Sequence, residues 1–184
     1  MKICMVDIET TGFDANFGRV LCVSFKPLGE KPFTISQLDW PDRFKTHPWD
    51  DGLVVAKAMD IIKQYDVIVT YYGKRFDIPF LRSRLFKAGK SKQRDPMMKF
   101  HLDLYFYAKF QLSLSRRSME NVGRLLDCKS PKVHPGPNIW LEAGGGNKKA
   151  FSEIHKRCEG DVILLEDIYH AVSPYLKSMT RVMI

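Results

Sequence analysis

An α/β domain is the fold class that the sequence predicts. Three short, β-rich apolar runs come first, at Lys2–Asp7, Arg19–Phe25 and Lys31–Ile35. Strand-like and helix-like segments then alternate, the order of a sheet covered by helices. The 184 residues are 45% apolar and 12% aromatic, enough for a single domain over 1–184 with its own core.

Each element has a local reason. Lys2–Asp7 (KICMVD) is a run of the kind that forms a buried strand. Arg19–Phe25 (RVLCVSF) follows a turn around Gly12 and Gly18. Asp50–Gln64 sets Val54, Ala58, Ile61 and Ile62 at helical spacing, with Asp50 or Asp51 as N-cap. Asp66–Tyr71 (DVIVTY) is short, β-branched and bounded by charge, which reads as a strand. Asp77–Ala88 aligns Ile78, Leu81 and Leu85 on one helical face, and Pro79 is tolerated in the first turn. Residues 82–100 carry seven basic side chains against Asp95 alone and read as a solvated loop. His101–Asp103 is a short strand that leads into a helix to about Phe110. Ser118–Leu126 is a helix with Met119, Val122 and Leu125 aligned. Lys129–Asn147, rich in Pro and Gly, reads as irregular, and the last helix runs from about Lys148 to His170.

Composition narrows the class of function. Lys+Arg number 29 and Asp+Glu 21, a net charge of +8, which favours a polyanionic partner. No apolar run approaches the ~20 residues a bilayer needs, so no membrane is expected. MKICMVDIE meets carboxylates too soon for a signal peptide. Cys4, Cys22, Cys128 and Cys158 form no CxxC and read as small hydrophobes in a reducing cytoplasm.

The last helix carries an anomaly. Its apolar face is Ile154, Cys158, Leu165 and Ile168, and the position in the middle of that face is Asp161. A buried carboxylate is costly unless compensated. A salt bridge to an arginine would compensate it, and so would a cation shared with other acids. Two further sites offer such acids. Asp7 and Glu9 end the first strand as D-x-E, on one side of the chain. That pattern arises by chance roughly 0.6 times in such a length, so its place at the carboxyl end of a buried strand matters more. Asp77 follows the DVIVTY strand, either as a helix N-cap or as a fourth acid. Four converging carboxylates suit Mg²⁺ or Mn²⁺ rather than Zn²⁺. A pair of such ions suits attack on a phosphodiester, whose backbone would explain the basic balance.

Four stretches together resemble the DEDD-type 3′–5′ exonucleases of ribonuclease H-like fold. VDIETTG (Val6–Gly12) resembles their first motif. YYGKRFDIPFLRSRL (Tyr71–Leu85) resembles the second, above all in the proofreading domains of family B DNA polymerases and their stand-alone relatives. LDLYFYAKFQLSLSRRSMENVGRLL (Leu102–Leu126) and CEGDVILLEDIY (Cys158–Tyr169) resemble the following segment and the third motif. The resemblance implies a mixed five-stranded sheet in order 3-2-1-4-5, the second strand antiparallel, flanked by helices. It implies Asp7, Glu9, Asp77 and Asp161 as ligands of two Mg²⁺ or Mn²⁺ ions. It implies hydrolysis of DNA, single-stranded or frayed, from the 3′ end to nucleoside monophosphates. Thr10 and Thr11 match the stretch beside the terminal nucleotide. Tyr72 and Lys74 stand in the second motif as candidate substrate contacts, and a DNA polymerase or other replication protein is a candidate partner.

Two positions depart from the family. Tyr72 stands where the second motif often has Asn, which implies altered substrate contact rather than lost chemistry. The third motif usually has Tyr four residues, or His five residues, before its Asp. Here those positions hold Arg157 and Lys156, neither a general base near neutral pH. His155 is the nearest titratable group, about 120° off the Asp161 face unless the helix bulges near Gly160; otherwise it is a solvated surface residue. Arg157 is placed either to contact substrate phosphate or to pair with an acid.

Weaker signals stay open. Gly144–Gly146 is either a phosphate cradle or a flexible loop. His101 and Asp103 are either further ligands or the structural end of a strand. Arg82, Arg84, Lys87, Lys90, Lys92 and Arg94 either track a DNA backbone or solubilise a loop. Phe13 and Phe17 could stack on bases, whereas Tyr105 and Tyr107 fit core packing better. Two other functions compete: a catalytically weak nucleic-acid-binding module of the same fold, and a structure-selective endonuclease.

Overall fold

The computed structural model describes residues 1–89, 100–129, 136 and 138–176. The sheet is built from β1 (Ile3–Thr10), β2 (Val20–Pro27), β3 (Phe33–Ser36), β4 (Val67–Thr70) and β5 (Phe100–Asp103). Its order is β3-β2-β1-β4-β5. β2 runs antiparallel to both β1 and β3, whereas β4 is parallel to β1 and to β5. The helices are α1 (Pro41–Thr46), α2 (Gly52–Ile62), α3 (Asp77–Lys87), α4 (Leu104–Gln111), α5 (Met119–Leu125), α6 (Ile139–Gly144) and α7 (Lys148–Leu176). The predicted mixed sheet and its strand order are present.

Strand alternation splits the core into layers. Cys4, Val6 and Ile8 of β1 pack with Val54, Val55, Met59 and Ile62 of α2 and Ile78, Leu81 and Leu85 of α3. Ile3 and Met5 point to the other face, where Val162, Leu165, Ile168 and Val172 of α7 meet Leu104 and Val122. A third cluster joins Leu21 and Cys22 of β2 to Ile139 and Ala143 of α6 and to Phe151, Ile154 and Cys158 of α7. Lys26 and Glu166, both buried, form an ion pair that ties β2 to α7.

Several boundaries differ from expectation. β1 continues three residues past Asp7, so Glu9 lies inside the strand rather than just at its end. The third strand begins at Phe33, because Pro32 has no N–H for the ladder. α1 was not expected; Pro41 sits in its first turn, and its buried residues are none. The stretch read as irregular contains α6, whose apolar Ile139 and Ala143 reach the core. α7 extends past His170 to Leu176, with Pro174 in its final turn. At the start of α2, Asp51 occupies the N-cap position without capping, and Asp50 accepts from the Gly52 amide instead. The basic residues Lys90, Lys92 and Arg94 lie outside the described residues.

Candidate active site

Alternation along β1 that puts Ile3 and Met5 against α7 puts Asp7 and Glu9 there too. Helical periodicity brings Asp161 to the same place, since Ile154, Cys158, Asp161, Leu165 and Ile168 all form the buried face of α7. Asp7, Glu9 and Asp161 each offer an oxygen within 4.8 Å of the others. A register shift between Glu9 and Thr10 ends the regular pairing with β2 beside these acids. Asp77 opens α3 and is buried. It stands outside the trio, yet its charge acts on Asp7.

The acids penalise one another. Burial, and then the charges of Asp161, Asp77 and Glu9, push the Asp7 carboxyl well above the usual range. The Cys158 thiol, 3.4 Å from Asp7 Oδ2, donates to it and acts the other way. Burial also raises Glu9, against the opposing pull of Trp140 and Arg157. Asp77 is pushed up to about 7, first by burial and further by Asp103 and Glu9, against backbone amides of Asp77 and Ile8. A largely buried set of oxygen donors that resists carrying its own charge fits a hard divalent cation such as Mg²⁺ or Mn²⁺.

A protein cation already reaches into the set. Arg157 Nε donates to Glu9 Oε1 at 2.7 Å, and its Nη2 lies 3.4 Å from Asp161 Oδ2. The other Glu9 oxygen accepts from Trp140 Nε1 at 2.6 Å. The guanidinium sits 5.5 Å from the Trp140 ring centre, at cation–π distance. Of the two roles open to Arg157, the geometry shows pairing with acids. The two fates of Asp161 are not exclusive: it lies near an arginine and among other carboxylates.

The β4–α3 loop forms the opposite wall. Asp103 accepts from the amides of Tyr72 at 2.7 Å and Lys74 at 2.9 Å, and also caps α4 through Tyr105. Asp103 therefore shapes the loop, and His101 hydrogen-bonds Thr70 Oγ1 at 2.7 Å, so both residues are structural. Tyr72 has a φ of 67° and is 46% exposed. Its ring meets Tyr105 edge-on at 4.7 Å. Between this loop and the acids lies a cavity of about 380 Å³, lined by Asp7, Tyr72, Tyr105, Arg117, Arg157 and Asp161. The Lys74 side chain is exposed. Thr10 Oγ1 donates to Gly12 O and Thr11 Oγ1 accepts from the Arg19 amide, so both hydroxyls shape the turn after β1. Phe13 and Phe17 on that turn are exposed.

The structure does not bring His155 to the acids. α7 is unbroken through Gly160, and His155 packs on Phe151 at 6.0 Å. Burial lowers its pKa, and the charges that act on it are Asp39 and Glu159. It is neither beside Asp161 nor fully solvated. The three glycines do not form a phosphate cradle at α7 either, because Asn147 Oδ1 takes the Lys149 and Ala150 amides. Trp140, and the bond from the Cys158 thiol to Asp7, were not legible in the sequence. The run Ile139–Gly144, bounded by Asn138 and Gly145, held the available sign of a helix there.

A family described as the RNase_H superfamily matches residues 4–173. Among solved structures, the family B DNA polymerase from the hyperthermophilic archaeon Pyrobaculum calidifontis is similar, with a TM-score of 0.70 and 16% sequence identity. That similarity covers 95% of this chain and 25% of the polymerase, so the chain spans about a quarter of its length. No curated protein sequence matches. Among the described residues, no helix is long and apolar enough to cross a membrane.

Proposed function

The chain belongs to the RNase_H superfamily, and from that premise we propose that it is a metal-dependent 3′–5′ exonuclease acting on single-stranded or frayed DNA ends. The observation that carries the reading is the meeting of Asp7, Glu9 and Asp161 within 4.8 Å at the carboxyl half of β1. With Asp77, these residues would hold Mg²⁺ or Mn²⁺, two ions in all. Divalent ions held there would supply positive charge to the attacking water oxygen and to the departing oxygen of phosphodiester hydrolysis. The chain contributes the rest. Asp7 and Asp161 border the cavity that would receive the terminal phosphodiester. Tyr72 and Tyr105 offer rings beside it, and Arg117 adds a cation for an anionic backbone.

The test is a 5′-labelled single-stranded oligonucleotide with Mg²⁺ or Mn²⁺. Stepwise shortening from the 3′ end is expected, and EDTA should stop it. Asp7→Asn and Asp161→Asn should each abolish turnover with the circular dichroism spectrum unchanged. Near-normal activity in either variant would remove the mechanism. A circular single strand should survive; its cleavage would identify an endonuclease. The grip of Arg157 on Glu9 favours a second reading, a nucleic-acid-binding module of weak catalysis. Binding without shortening would select it. A polymerase or other replication protein as partner is part of the same proposal, and a pull-down with purified components tests it.

A further inference from the structure

Both carboxylate oxygens of Glu9 already accept a hydrogen bond. Oε1 accepts from Arg157 Nε at 2.7 Å and Oε2 from Trp140 Nε1 at 2.6 Å. The same guanidinium approaches Asp161 at 3.4 Å and lies against the Trp140 ring. Two acids of the close trio are therefore bridged by a side-chain cation, held in place from a second helix. Arg157 is largely buried, with its side chain 18% exposed. A guanidinium stays protonated at any ordinary pH, so it cannot leave the site by losing its charge.

We propose that Arg157 is a built-in competitor of the divalent ion: its charge neutralises Glu9 and Asp161, and its bond to Glu9 competes with an ion for that carboxylate. This inference rests on the metal-dependent reading above. Two consequences follow from charge alone. A cation a few ångströms away repels an incoming dication, so the resident arginine weakens metal affinity. It also relieves part of the mutual repulsion of the acids. The displaced side chain has somewhere to go, because Arg157 already borders the cavity that Arg117 lines. Arg157 is thus a positioning residue that sets how much Mg²⁺ or Mn²⁺ the site needs.

The probe is Mn²⁺ alone, titrated into the metal-depleted full chain and followed by the electron paramagnetic resonance of free Mn²⁺. Arg157→Gln should bind Mn²⁺ at least about tenfold more tightly than the wild type, a factor worth about 1.4 kcal/mol. Arg157→Lys, which keeps the charge, should stay near the wild type. Equal or weaker binding by Arg157→Gln overturns the inference. Should Arg157→Gln fail to fold, ¹⁵N spectra of the wild type decide. The Arg157 Nε–H resonance, identified by its loss in Arg157→Lys, should shift on Mg²⁺ addition and exchange faster with water. A resonance unmoved at saturating Mg²⁺ overturns the inference. Oligonucleotide shortening separates the two claims. Tighter Mn²⁺ binding without any shortening keeps the competitor and removes the nuclease. Shortening by the wild type with unchanged Mn²⁺ affinity in Arg157→Gln does the reverse. Absence of Mn²⁺ binding in both proteins removes both.

Discussion

Tyr72 occupies the left-handed region with a φ of 67°, where a side chain branched at Cβ is a severe outlier and Asn is tolerated. The conformation is imposed from outside, since Asp103 draws in the amides of Tyr72 and Lys74 together. Strain of this kind is confined to places where surrounding structure over-determines it. Tyr72→Val is therefore expected to unfold in urea about 1–2 kcal/mol more easily than Tyr72→Asn. Equal stability of the two variants would show that the loop relaxes out of the left-handed region. The same comparison bears on function. Tyr72 lines the cavity beside the acids, so Tyr72→Asn should change the Michaelis constant for an oligonucleotide more than the turnover number. Asn at this position would bring the second motif closer to the pattern that the sequence resembles.

At the scale of elements, the site depends on how the β4–α3 turn and α3 are fastened. A Cβ on Gly73 would lie 2.5 Å from both Cβ and Oγ1 of Thr70, in a space no real side chain occupies. Thr70 cannot swing clear easily, because it is buried and bonded to His101. Gly73→Ala should cost about 2 kcal/mol or more in urea unfolding, and should lower activity by moving the turn that leads to Asp77. The other fastening is Arg84 of α3, which grips both oxygens of Asp51 and also reaches Ala15 O. Asp51 in turn accepts from the Val20 amide of β2. Removing one member leaves a buried charge, so Arg84→Met should cost about 3–5 kcal/mol, and Arg84→Met with Asp51→Leu distinctly less. A double variant as unstable as the single would show that the Val20 bond, not the charge, dominates. None of this network was legible in the sequence, where Arg84 read as part of a basic surface. The reason is physical: spacing shows which face of its own helix a residue occupies, not which distant loop meets it. Asp161 was legible for the opposite reason, because a carboxylate inside an apolar helical face contradicts its neighbours within a few turns. Trp140 was hidden twice, by a Pro- and Gly-rich context and by a partner on β1 more than a hundred residues away.

For the molecule as a whole, pH stability joins two opposed sets of buried and half-buried groups. Asp7, Glu9 and Asp77 have raised pKa values, so the folded state holds protons that the unfolded state releases. For Asp77 this spans the interval between the ordinary carboxylate range and about 7, and within it acidification favours the fold. His101 works the other way. Burial, helped by Lys74, lowers its pKa from 6.5 to about 4. Between those values the unfolded chain binds a proton that the folded chain refuses, so stability falls as the pH drops. The wild-type curve in EDTA should consequently be flatter than either set alone would make it. His101→Gln removes one side of the balance and keeps a neutral hydrogen-bonding group near Thr70. At pH 7 both proteins have a neutral group there, and any cost of the substitution is purely one of packing. At pH 4.5 the wild type carries the added penalty of the refused proton. The stability gap between the two should shift by about 2 kcal/mol in favour of His101→Gln from pH 7 to pH 4.5. Urea midpoints at both pH values measure that shift. A gap that stays constant would mean that His101 titrates normally in the folded protein, and that the β4–β5 edge of the sheet admits water to its ring.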